Sequence, residues 1–275
     1  MALRKKLKIG LVGCGAIGSS LAKCIVSDFA EGARLVGVND LDIKKAHAVA
    51  KICKKSYSLV LNLEDLIRRS DLIIEATQAD AAFEIAKKVI LASCDIMVMS
   101  VGGILKHYRQ LRRLAQKKCA RIFIPSGAIS GIDGLKAASC GKIKKVTMIT
   151  TKPKKAFSGV AYVVKKNIRL DDIKGDVVLF EGSASSAIRA FPQNVNVSAT
   201  LSLAGIGPEK TRVRVIASDR ISRNIHQIEI ESDSGKIICR TENVIHPANP
   251  KTSYLAALSA VATLRQILNP VKIGT

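Results

Sequence analysis

Six residues near the amino terminus, Gly13-Cys14-Gly15-Ala16-Ile17-Gly18, restrict the fold of this 275-residue chain more than any other feature. A G-x-G-x-x-G spacing suits a β-strand, a tight turn and a helix whose first N–H groups face an anion. Alone the pattern is weak, because glycine triplets arise by chance. Here the apolar run Lys8 to Val12 precedes it, helical spacing starts at Ala16, and Asp40 closes the next apolar run 22 positions after Gly18. In that setting Gly13 permits the turn, Gly15 lets a pyrophosphate approach the backbone, and Gly18 lets helix and strand pack closely, while Ala16 and Ile17 open the helix. Asp40 is placed to accept hydrogen bonds from an adenosine ribose and to repel a 2′-phosphate, which favours NAD. A surface turn would use the same aspartate. Lys44 and Lys45 lie near enough in sequence that NADP stays open.

The first 124 residues alternate between short Val- and Ile-rich runs and helix-length amphipathic segments, the pattern of a parallel sheet covered on both faces. Strands are expected at Lys8 to Val12, Leu35 to Asn39, Leu72 to Glu75, Ile96 to Ser100 and Arg121 to Ile124, with helices at Ala16 to Ser27, Ala79 to Ala92 and Leu105 to Gln116. The fold class is therefore α/β, a Rossmann-type doubly wound sheet. Glu75-Ala76-Thr77 and Ser100-Val101-Gly102-Gly103 fall at its carboxyl crest, where small residues leave room for a ribose and nicotinamide or simply keep loops flexible.

After Pro125 the texture changes. Strand-like runs at Lys144 to Thr151, Val177 to Glu181, Arg212 to Ala217, Ile225 to Ile230 and Lys236 to Thr241 have fewer helices between them, and Asp233-Ser234-Gly235 offers a hairpin turn. A second, mainly antiparallel α+β domain is expected over 125–247. The chain should end in a helix capped by Asn249, with Pro250 at its first position and an apolar stripe of Leu255, Leu258, Ala262 and Leu264. That helix is expected to return to the first domain, which then comprises 1–124 and 248–275.

Composition narrows the function classes. No apolar run is long enough to span a bilayer, and the basic start, Met1 to Lys8, leads into glycine-broken sequence, against a secretory signal. Seven cysteines without a CxxC pair point to reduced thiols in a cytoplasm, and four histidines form no metal-binding spacing. Lys and Arg outnumber Asp and Glu by 44 to 22, a net charge of +22. Such an excess raises the question of a nucleic-acid partner. Low aromatic content, no tryptophan and scattered basic clusters argue against one, and a positive field that concentrates small anions is the milder role.

His226 is the histidine with the most informative surroundings. In Asn224-Ile225-His226-Gln227-Ile228-Glu229-Ile230-Glu231, alternation puts it on the face of Ile228 and Ile230. It is either a hydrogen-bonded core histidine or a general acid/base at a domain cleft. His47 and His107 fall on helix surfaces, and His246 in a Pro-bounded loop. The charge-poor stretch Asn194 to Gly205, with Asn196 and Thr200, reads equally as the lining of a polar pocket or as caps and turns.

Four segments, Pro125-Ser126-Gly127-Ala128-Ile129-Ser130-Gly131, Asn194 to Gly207, Asn224-Ile225-His226 and Asn249-Pro250-Lys251-Thr252-Ser253, together resemble the L-aspartate dehydrogenases, in the family's order and over nearly the whole chain. The resemblance implies NAD(P)-dependent oxidation of L-aspartate to iminosuccinate, which hydrolyses to oxaloacetate and ammonia or feeds NAD biosynthesis. It implies a homodimer, an active-site histidine at His226, and cofactor contacts at Ala128 and Asn196. Leu41 after Asp40 departs from a basic residue, which puts NADP affinity in doubt. A dicarboxylic amino acid needs its two carboxylates held while hydride leaves Cα. Lys152 and Lys251 are the cationic candidates for that, with Asn194, Thr200 and Asn224 beside them; either lysine also reads as an ordinary surface residue. His226 would then serve proton transfer at the amine or imine nitrogen, or activate the hydrolytic water. Another two-domain reductase, such as a dihydrodipicolinate reductase, whose paired histidines and lysine are missing here, or a homoserine dehydrogenase, and a non-catalytic NAD-responsive binding protein are the competing readings.

Overall fold

The structure, a computed structural model, describes residues 5–53, 59–191, 195–247 and 249–274. It resolves into two compact units, one running up to Pro125 and including Ala257–Lys272, the other built on Ser126–Ala256.

The first unit is built of β1 (Leu7–Val12), α1 (Ala16–Val26), β2 (Ala33–Asn39), α2 (Ile43–Ile52), α3 (Leu63–Arg69), β3 (Leu72–Glu75), α4 (Ala79–Leu91), β4 (Asp95–Val98), α5 (Val101–Ile104), α6 (Tyr108–Lys118) and β5 (Ile122–Phe123). All strand pairs are parallel, in the order β2-β1-β3-β4-β5. Strands covered on both faces cannot alternate, and β3, Leu-Ile-Ile-Glu, is buried at every residue. The chain winds from β1 outward to β2 and then crosses to β3, so the strand order reverses between β1 and β3. Open α/β sheets leave a crevice at such a point. This is the Rossmann-type arrangement that the strand–helix alternation predicts.

The second unit contains α7 (Ile132–Ala138), β6 (Ile143–Pro153), α8 (Ala161–Lys165), β7 (Asp176–Ser183), α9 (Ala184–Ala190), α10 (Val195–Ala204), β8 (Arg212–Ser218), β9 (Asn224–Ser232), β10 (Gly235–Asn243), β11 (Ile245–His246) and β12 (Asn249–Ser253). Its five-stranded sheet runs β10-β9-β6-β8-β7 and is antiparallel except where β6 lies beside β8. Gly235, at φ +125°, closes the β9–β10 hairpin opposite Ser232, at the expected turn. One sheet face carries an apolar core that includes Val146, Met148, Ile228 and Ile230.

Three expectations are corrected. The Asn249-Pro250 pair does not start the last helix: its backbone lies in β12, paired with β11 through His246↔Asn249 and Ile245↔Ser253, and α11 (Tyr254–Leu268) begins after it. A short two-stranded ladder tolerates proline and overrides the capping preference. The stripe on α11 is rotated as well. Leu255 and Leu258 stay exposed, and Ala257, Ala260 and Leu264 are buried, the last two in the core of the first unit. An apolar helix with leucines on more than one side does not fix its own rotation. His246 lies not in a loop but in β11, buried with its ring edge-on to Tyr254. Among the described residues, no helix is long and apolar enough to cross a membrane.

Candidate active site

The glycine turn lies at the reversal point of the first sheet. Gly13 has φ +97°, and a Cβ there would overlap the Ala76 carbonyl of the loop after β3. A Cβ on Gly18 would strike the Gly13 carbonyl, so only glycine lets α1 approach the turn this closely. Gly15 is different: a Cβ there would meet nothing within 4 Å. The N–H groups of Ala16 and Ile17 precede the first helical bond, Ser19 N–H to Gly15 O, with no side chain capping the helix. Asp40 borders the same turn. Its carboxylate accepts the Cys14 N–H at 2.6 Å and the Asp42 N–H at 2.8 Å, leaving lone pairs on both oxygens. Lys45 is ion-paired with Asp42, and Leu41 is fully exposed.

The crest beside this turn is tied by a buried acid that the sequence reading did not single out as a functional group. Glu75 accepts the Thr77 N–H and hydroxyl, both at 2.7 Å, and the Ser100 N–H at 3.0 Å, while the Ser100 hydroxyl donates to the Thr77 carbonyl at 2.6 Å. The loops after β3 and β4 are therefore locked together by one carboxylate.

In the second unit, strand register sets out four rows of side chains on the covered sheet face. Residues directly opposite each other across strands project to the same side. Ile237, Ile230 and Val146 form one row, and Cys239, Ile228 and Met148 the next. Then the chemistry changes: Thr241, His226 and Thr150 follow, and the last row holds Asn243 and Asn224, with Lys152 two residues beyond Thr150. The face is apolar at one end and polar at the other. His226 is 5% exposed, and its Nδ1 lies 3.1 Å from the Thr150 hydroxyl. Burial, and then the nearby Lys152 ammonium, push the imidazole down from its ordinary 6.5 to about 3. Lys152, half-buried, is itself brought down from 10.5 to about 8 by burial. The low pKa leaves the ring neutral at pH 7, with Nδ1 oriented by Thr150.

Helix α10 covers this face. Within the Asn194–Gly205 stretch, whose polar residues suited either a pocket or turns, Val195–Ala204 folds as that helix, with the Ser198 hydroxyl on the Met148 sulfur at 3.4 Å. Ser198, Thr150, Val213 and Phe191 are among the residues around a cavity of about 10 Å³. Asn196 is exposed in the first turn of α10, and Thr200 is buried one turn further on. Asn194 lies outside the described residues; Lys251 is described only as backbone, in β12. The structure brings Ala128, Asn224, Lys152 and His226 to one region, because the Ala128 carbonyl accepts from Thr241 and Asn243 of the polar rows. Thr150, Thr241 and Asn243 escaped the sequence reading. A polar residue ending each apolar alternation was the available signal.

A family model described as "Aspartate dehydrogenase, C-terminal" matches residues 133–267, and one described as "Homoserine dehydrogenase, NAD binding domain" matches residues 13–125. An L-aspartate dehydrogenase of Methanosarcina acetivorans is 48% identical over 275 residues, covering 98% of this chain and 100% of the relative. L-aspartate dehydrogenase 3 of Bordetella bronchiseptica is 35% identical, with 100% of each chain covered. Among solved structures, the aspartate dehydrogenase of Thermotoga maritima superposes with a TM-score of 0.72 at 24% identity, covering 98% of this chain and 100% of that one. A homoserine dehydrogenase of Thiobacillus denitrificans gives 0.64 at 14% identity, covering 96% and 74%.

Proposed function

The chain belongs to the L-aspartate dehydrogenase family, and from that premise we propose how its residues carry the family's reaction. The protein is an NAD(P)-dependent oxidoreductase acting on the CH–NH2 group of L-aspartate. The dinucleotide supplies the hydride acceptor. Gly13, Gly15, Ala16, Ile17 and Gly18 take its pyrophosphate on the uncapped start of α1, and Asp40 takes the ribose diol with its remaining lone pairs. Ala128 and Asn196 complete the cofactor contacts.

The observation that carries the catalytic assignment is the row Thr150–His226, a buried imidazole held by a hydroxyl at the polar end of an otherwise apolar face. L-aspartate loses two electrons and one proton as hydride from Cα and a second proton from the ammonium group, giving iminosuccinate. His226 accepts that ammonium proton. After the hydride has left, the imidazolium releases that proton to solvent, and the neutral imidazole then serves the water that attacks the imine to give oxaloacetate and ammonia; iminosuccinate released intact would instead feed NAD biosynthesis. Lys152 and Asn224, in the adjoining row, hold a substrate carboxylate, with Thr200, Lys251 and Asn194 as the remaining candidates.

The chain is proposed to work in the cytoplasm, in keeping with seven cysteines that are all free thiols, and as a homodimer, for which the exposed Ile238, Val244 and Ile245 offer apolar surface. The test is aspartate-dependent reduction of NAD+ and NADP+ by the purified protein over a panel of amino acids. Turnover with aspartate, preferring NAD+, is expected. No turnover with aspartate, nor with oxaloacetate, ammonia and NADH, overturns the reading and leaves a cofactor-binding protein.

A further inference from the structure

Ala128 follows Gly127, at φ +72°, and precedes Gly131, at φ +85°. Two left-handed glycines within five residues turn the chain at both ends of this loop. Strand β10 supplies the rigidity. A Cβ on Gly134 would lie 3.2 Å from Ile237, and one on Gly131 would lie 2.7 Å from the Cys239 sulfur, so the segment runs along the inner face of β10 in close contact. At the next step of that contact the Ala128 carbonyl accepts the Asn243 amide at 3.1 Å and the Thr241 hydroxyl at 3.2 Å. The same Thr241 hydroxyl lies 3.2 Å from the His226 carbonyl, on the neighbouring strand.

Asn243 is 3% exposed, and its Oδ1 has no hydrogen-bond partner among the described residues. A buried amide with half its capacity unmet lowers stability relative to an aliphatic side chain of the same shape. What the amide does provide is the bond to Ala128.

We propose that Thr241 and Asn243 are positioning residues: they fix the Ala128 carbonyl, and the loop it belongs to, relative to the His226 ring. This rests on the reading that Ala128 contacts the dinucleotide. One strand then sets both a cofactor contact and the proton acceptor, because β10 holds Ala128 through its side chains and β9 through its ladder. Releasing the loop loosens the cofactor and misaligns it for hydride transfer, a misplacement to which turnover is steeply sensitive. Aspartate affinity depends on other residues and is left in place.

The experiment uses the full-length protein with Thr241→Val, Thr241→Ser, Asn243→Leu and Ala128→Val. The Kd for NADH is read by fluorescence titration, kcat and the KM for aspartate by steady-state rates, and Tm by calorimetry. Thr241→Val and Asn243→Leu are expected to weaken NADH about fivefold, near the loss of one hydrogen bond, and to lower kcat. Thr241→Ser keeps the hydroxyl and should restore both values to within about twofold, with the KM for aspartate unchanged throughout. If Asn243→Leu does not fold, the Val/Ser pair at Thr241 decides alone. NADH binding and kcat equal to wild type in Thr241→Val overturn the proposal. Should Ala128→Val cost NADH binding while Thr241→Val does not, positioning fails and the Ala128 contact stands. Ala128→Val binding NADH as wild type does, where Gly15→Val does not, removes the premise itself.

Discussion

His226 and Lys152 are the two proposed reaction residues whose titration is shifted by burial, and their coupling gives two predictions. His226 titrates near 3 in the folded chain and near 6.5 when solvated. Between those values the unfolded state binds more protons than the folded one, so this histidine's contribution to stability is present above pH 6.5 and is lost as pH falls toward 3. His226→Asn should therefore flatten the acid limb of a Tm-against-pH curve, and it should lower kcat by about 10²- to 10⁴-fold, the usual scale for a lost general base. A variant with full turnover removes His226 from proton transfer. Lys152 behaves differently because its charge is proposed to serve binding. Its pKa of about 8 means that the ammonium is lost as pH rises through 8, so the KM for aspartate should climb above that pH. Arginine stays charged across this range. Lys152→Arg should then abolish the alkaline rise, whereas an unchanged rise assigns it to another group. Neither shift is visible in the sequence. The alternation in β9 places His226 on the apolar face, but the packing that buries the ring and the Lys152 charge that adds to its low pKa are tertiary; Thr150, on the same strand as Lys152, lies 76 positions away in the chain.

At the scale of elements, the parts that were legible are those in which the backbone's needs and the side-chain pattern coincide. Continuous Ile, Leu and Val runs mark the parallel strands, and the glycine triplet marks the turn, because Gly13 and Gly18 are places where a Cβ has nowhere to go. Helix α10 was not legible: Asn, Ser and Thr favour caps and turns, yet Ser198, Thr200 and Ser202 are buried in a helix that tertiary packing imposes. The β11–β12 ladder was missed for the same reason, since its pairing partners decide it and not its own propensities. Glu75 shows what a sequence pattern omits even where the strand is assigned correctly. It ends β3 fully buried and joins two crest loops through three accepted hydrogen bonds. Glu75→Gln replaces one acceptor with a donor facing another donor, and such a buried mismatch costs roughly 1–3 kcal/mol. A fall in Tm of about 2–4 °C per kcal/mol is expected by calorimetry. An unchanged Tm means that the loops hold each other without the carboxylate.

The charge belongs to the whole molecule, and it acts on stability and on encounter with opposite signs. Between Asp95 and Asp133 the sequence has no acidic residue, while Lys106, Arg109, Arg112, Arg113, Lys117, Lys118 and Arg121 lie there, and only Arg121 among them has an ion pair in the described structure, with Asp95. Most cations therefore face solvent, and a net +22 repels itself. Raising salt from about 10 to about 100 mM shortens the Debye length from about 30 to about 10 Å, enough to screen charges on separate elements. Screening relieves the folded state of that repulsion, so Tm should rise over this interval. Aspartate and the dinucleotide are both anions, and the same screening removes their attraction to the surface, so kcat/KM for aspartate should fall while kcat at saturation holds. The two responses separate the field from the contacts: loss of a binding contact such as Lys152 would lower kcat/KM at every salt concentration without altering the slope. A kcat/KM that stays flat while Tm rises would show that the basic surface affects folding alone, and that anion capture is the work of the site residues.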